Sequence, residues 1–88
     1  MLDKKDMYAK LKNGFDRSID SRRMGSRKSV LMSGLDKYGY TGAVLLFEKA
    51  KLSEIKLGDM PIDGWVVLDT IKNPTPKAEN GLVICQKK

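Results

Sequence analysis

The sequence predicts an α+β domain: one N-terminal helix, or two, and then a small, mainly antiparallel sheet of four to five strands, either open or curled into an SH3- or OB-like barrel. Three observations predict it. Residues 3–13 repeat apolar side chains at helical spacing. From Ser29 onward, short apolar runs alternate with glycine clusters, as strands do. Between them, residues 16–29 hold only Ile19 and Met24 as large apolar residues, too few to be core. The 88 residues make one domain, with a basic helical segment over 1–28 and a β-rich core over 29–88.

Within the helix, Asp3 is placed to cap the first turn, and Asp6 complements the positive N-terminus. Met7, Tyr8 and Leu11 share a face, with Lys4, Lys5, Lys10 and Lys12 elsewhere. Asn13-Gly14 reads as a left-handed stop. Such a helix of three turns is too short to stand alone and must dock on something. Residues 16–29 read either as a second short helix ending at Gly25 or as an irregular segment.

Residues 29–32 are the first strand, and 34–42 a glycine-rich connection. Residues 43–47 are apolar on both faces, which places them inside the sheet. Leu52 to Ile55 suggests one helical turn. Pro61-Ile62-Asp63-Gly64 is a tight turn: proline presets φ, and glycine supplies the left-handed position. Residues 65–71 give the clearest strand, with Trp65, Val67 and Ile71 expected on one side and Val66 and Leu68 on the other. Pro74, Pro76 and Asn80-Gly81 mark 73–81 as a loop. Residues 82–85 are the last strand, and 86–88 are expected to fray.

Charge is distributed unevenly. Residues 1–30 carry a net +5 and residues 31–88 only +1, out of a total of +6. All four arginines (Arg17, Arg22, Arg23, Arg27) fall within eleven residues and are followed by Lys28. Arginine offers a planar fork of donors that fits phosphate or carboxylate oxygens in pairs. Solubility alone does not require such segregation, so these five residues are the candidate phosphate-binding set. Ser18, Ser21, Ser26, Ser29 and Gly25 add hydroxyl and backbone donors. The competing account is a solvated helix face, with Arg17 or Arg23 paired to Asp20. Gly25 to Ser29 contains a Lys-Ser pair but lacks the spacing of a phosphate-binding loop, which argues against nucleotide hydrolysis.

Tyr38 and Tyr40 lie among glycines beside Lys37 and are the candidate stacking residues for a nucleobase. The alternative is that they close the core. Asp59 and Asp63 read as turn residues and not as an acid–base pair. Trp65 reads as core.

The single cysteine, Cys85, excludes a disulfide framework, and the chain has no histidine. Zinc and non-haem iron therefore lose their usual ligands, and the commonest general base is missing. Cys85 reads as a buried small hydrophobe. No cofactor or metal is expected, and enzyme is the least favoured class. The first residues are charged where a signal peptide is apolar, and no run approaches the roughly 20 apolar residues of a membrane span. A cytoplasmic protein that does not enter membranes is expected.

Three functions fit these features. The first is a non-enzymatic module that binds nucleic acid or a nucleotide. The second is a small inhibitor or adaptor that docks on an acidic patch of a larger protein, like small phage host-takeover proteins, an analogy of size alone. The third is a homo-oligomer whose arginines pair with acids across a subunit interface.

Overall fold

A computed structural model describes the backbone of residues 4–22 and 29–88, with side chains over 6–17 and 29–88. One helix, α1 (Lys4–Arg22), precedes four strands: β1 (Ser29–Met32), β2 (Val44–Lys49), β3 (Trp65–Lys72) and β4 (Gly81–Lys87). All strand pairings are antiparallel, in the order β1-β2-β4-β3. The sheet stays open, with β1 and β3 as its edges, so the barrel form of the expectation is not adopted.

The helix runs straight through Asn13-Gly14. Its apolar stripe does not end at Leu11, because Phe15 continues it, and Met7, Tyr8, Leu11 and Phe15 are all buried on the sheet. That burial outweighs the roughly 1 kcal/mol preference of glycine for leaving a helix. A Cβ on Gly14 would lie 3.0 Å from the Met32 methyl, so α1 passes close over β1 here. Asp6 sits in the first turn as expected, while Asp3 lies outside the described residues.

The sheet buries both faces. On one, α1 covers Val30, Val44, Leu46, Ile71, Leu82 and Ile84, with Leu35 and Tyr40 added from the β1–β2 connection. On the other, Val67, Val83 and Cys85 lie beneath Leu52 and Ile55 of the β2–β3 crossover, flanked by Leu45, Phe47 and Trp65. Every residue from Gly81 to Cys85 is buried, because β4 is inside the sheet and covered on both sides.

Two strand expectations change. Val67 pairs with Cys85 but Asp69 pairs with Ile84, so Leu68 is an extra residue and β3 bulges there. The bulge breaks the two-residue alternation. Trp65 and Val67 therefore face the crossover, while Ile71 faces the helix. Residues 86 and 87 do not fray: Gln86 pairs with both Val44 and Val66, and Lys87 with Trp65. Short 3-10 turns occupy Asp36–Tyr38 and Leu52–Glu54. The turn at 61–64 closes as read, with the Trp65 N–H donating to the Ile62 carbonyl at 2.9 Å and Gly64 left-handed at φ 87°.

Candidate anion-binding site

The first member of the arginine set, Arg17, is exposed on α1, two residues beyond the buried Phe15. Arg22 is the last residue of α1 by its backbone. Its side chain lies outside the described residues, as do Arg23, Arg27 and Lys28. Chain continuity nevertheless fixes where the run begins and ends. It leaves the end of α1 and enters β1 at Ser29.

The two tyrosines part company. Tyr40 is 6% exposed, and its hydroxyl donates to Asp69 Oδ2 at 2.9 Å. Its ring is packed under the helix and offers no face to a base, so the stacking role expected of Tyr40 gives way to a core role. Burial first, then the hydrogen bond and charge of Asp69, push its phenol well above the usual tyrosine range. Tyr38 is half-buried at the margin of the same cluster, and the exposed Lys37 holds its Nζ 5.5 Å from the Tyr38 ring centroid. This places an exposed cation beside a partly open ring.

The basic run enters β1 at Ser29, whereas Lys37 and Tyr38 follow its other end at Met32. Three strand steps separate those ends by about 10 Å.

Two other lysines, Lys12 on the helix and Lys49 on β2, are already engaged. Lys12 Nζ lies 3.0 Å from both Asp16 Oδ1 and Glu48 Oε2, linking α1 to β2. Burial pulls its pKa down, but the hydrogen bonds to Glu48 and Asp16 outweigh that and hold it above the usual lysine value. Lys49 pairs with Glu54 at 3.6 Å. Asp59 behaves as a turn residue, with Oδ2 accepting from the Lys56 N–H at 2.9 Å. Cys85 is fully buried, and burial raises its thiol pKa.

An open cleft of about 420 Å³ is lined by Leu52, Ser53, Thr70, Lys72, Ala78 and Glu79. It gathers residues from the crossover, β3 and the β3–β4 loop, and no local spacing in the sequence announces such a convergence. Among the described candidates, Arg17, Tyr38 and Tyr40 do not line it. Among the described residues no helix is long and apolar enough to cross a membrane. No protein-family model, no curated protein and no solved structure matches the chain.

Proposed function

We propose that this protein is a non-enzymatic binding module for a phosphate-rich ligand, either nucleic acid or a nucleotide. Arg17, Arg22, Arg23, Arg27 and Lys28 would supply the phosphate contacts, with Lys37 and Tyr38 at the far end of β1. One observation carries this reading: every arginine falls between the last two turns of the helix and the start of the edge strand β1. Binding of a labelled single-stranded oligonucleotide, titrated at several salt concentrations, tests it. Affinity should fall steeply with salt, because each neutralised phosphate releases counterions. Arg22→Ala combined with Arg23→Ala should flatten the log–log slope by about 1.4. Binding that ignores both salt and these substitutions would remove the proposal.

The second reading is an adaptor or inhibitor docking on an acidic region of a larger protein. The open, uncharged edge of β1 directly beside the basic run favours it. Capture from nuclease-treated lysate separates the two: loss of every partner supports the nucleic-acid reading, and a stoichiometric protein that persists supports the adaptor.

A further inference from the structure

The open cleft beside the β3–β4 loop is built from three segments that are fastened to one another. Thr70 pairs with Val83 and Lys72 with Gly81, so both side chains leave β3 on the face that the crossover covers. Leu52 and Ser53 arrive from the crossover, and Ala78 and Glu79 from the loop. The Leu52 N–H donates to the Glu79 carbonyl at 2.8 Å, which ties crossover to loop. The Asn73 N–H donates to the Asn80 carbonyl at 3.0 Å, and Asn73 Nδ2 donates to Asn80 Oδ1 at 3.2 Å. Within the loop so closed, the Ala78 N–H donates to the Thr75 carbonyl at 3.1 Å. Lys77 is held there at φ 68°, a left-handed conformation that a non-glycine residue keeps only when its surroundings impose it. Gly81 shapes the floor. A Cβ on it would lie 2.8 Å from Leu52 Cδ2, so the missing side chain lets Leu52 lie over the start of β4.

The charges around this cleft are not all spent. Beside it, Lys49 and Glu54 pair with each other at 3.6 Å. Among the described residues, Lys72 and Glu79 belong to no ion pair, although both line the cleft. The hydroxyls of Ser53 and Thr70 likewise make no side-chain hydrogen bond among the described residues. One cation, one anion and two hydroxyls thus stand around Leu52 and Ala78 in about 420 Å³. Small-molecule sites have this size and this make-up, apolar surface with a few polar groups that fix orientation. We infer that the cleft binds a small zwitterion with an apolar side chain, a free amino acid or a dipeptide. Lys72 takes its carboxylate and Glu79 its ammonium, and both hydrogen bonds gain from the charges on donor and acceptor. Leu52 and Ala78 receive the apolar side chain. A phosphate-bearing ligand fits less well, because the Glu79 carboxylate repels it. The cleft shares no residue with the arginine set, so this site goes beyond the proposed function and fails or succeeds separately.

The test titrates the full isotope-labelled chain with leucine and with leucyl-leucine, followed by amide NMR. The Leu52, Thr70 and Ala78 amides should shift saturably with at least one of them, and the tighter binder gives the charge spacing that the site reads. The N-acetylated form of that ligand lacks the ammonium, and its amide lacks the carboxylate. Each should bind about tenfold more weakly. Glu79→Gln should erase the penalty for N-acetylation, and Lys72→Gln should erase the penalty for amidation. A merely structural role for either residue would not produce that pairing. Both positions are exposed, so the fold tolerates the changes. Arg22→Ala with Arg23→Ala should leave these affinities unchanged, whatever it does to oligonucleotide binding. Absence of saturable shifts, shifts confined to residues outside the cleft, or equal binding of the blocked forms would overturn the inference.

Discussion

The Tyr40 hydroxyl donates to Asp69 Oδ2 at 2.9 Å, joining the β1–β2 connection to β3. The bulge at Leu68 turns Asp69 toward the helix face, where Tyr40 is buried. The other carboxylate oxygen, Oδ1, accepts from the Thr70 N–H at 2.8 Å. Tyr40→Phe removes a hydrogen bond to a charged group and should cost about 1.5–3 kcal/mol in urea unfolding, with the m-value unchanged.

The same pair sets an alkaline limit. Burial and Asp69 raise the Tyr40 phenol above its unfolded value of about 10. Its contribution is therefore complete below that value and is lost as pH rises through it toward the folded pKa. Tyr8 shifts in the same direction, through burial and then the charge of Glu48. Stability measured by circular dichroism should fall from about pH 10 upward, and less steeply in Tyr40→Phe.

Two glycines should respond oppositely to alanine. At Gly81, an added Cβ would lie 2.5 Å from the Ile71 carbonyl oxygen and 3.1 Å from the Lys72 Cα, both backbone atoms that cannot step aside. Gly81→Ala should cost about 1–3 kcal/mol, and each kcal/mol should lower Tm by roughly 4–8 °C. At Gly14, the obstacle is the Met32 methyl, the free end of a flexible side chain. Gly14→Ala should raise stability by up to about 1 kcal/mol through helix propensity. Calorimetry of the two variants checks both signs.

Cys85 lies inside the sheet with its thiol pKa raised by burial. Reaction with a thiol reagent should require global opening, and should be slower than in the urea-unfolded chain by about a thousandfold or more. Leu46→Ala, which empties core beneath α1, should accelerate labelling in step with its loss of stability, about 2–5 kcal/mol.

Much of this fold was legible because period and punctuation agree locally. Ser29–Met32 forms the strand its apolar run implied, and Pro61 to Gly64 makes the turn its residues demand. The helix through Gly14 was hidden because a local stop signal competes with a stripe that only the sheet rewards. The Leu68 bulge leaves no mark in composition, so the faces of Val67 and Ile71 could not be separated by alternation alone. Tyr38 and Tyr40 look equivalent in sequence, and it is Asp69, 29 residues further on, that draws Tyr40 into the core. The arginine stretch was legible as charge, and its attachment to the open β1 edge emerged only with the strand order.

That strand order also governs assembly. Of the four strands, β4 comes last in sequence, yet β2 and β3 are joined only through it. Until residues 81–87 are available, β2 and β3 have no strand between them, and their hydrogen-bonding edges stay unpaired. The sheet therefore closes in a single late step that depends on contacts distant along the chain, which slows folding relative to a simple meander. A chain halted before β4 would expose the inner edges of β2 and β3 together, and a separate peptide spanning 81–87 is the piece that would complete it.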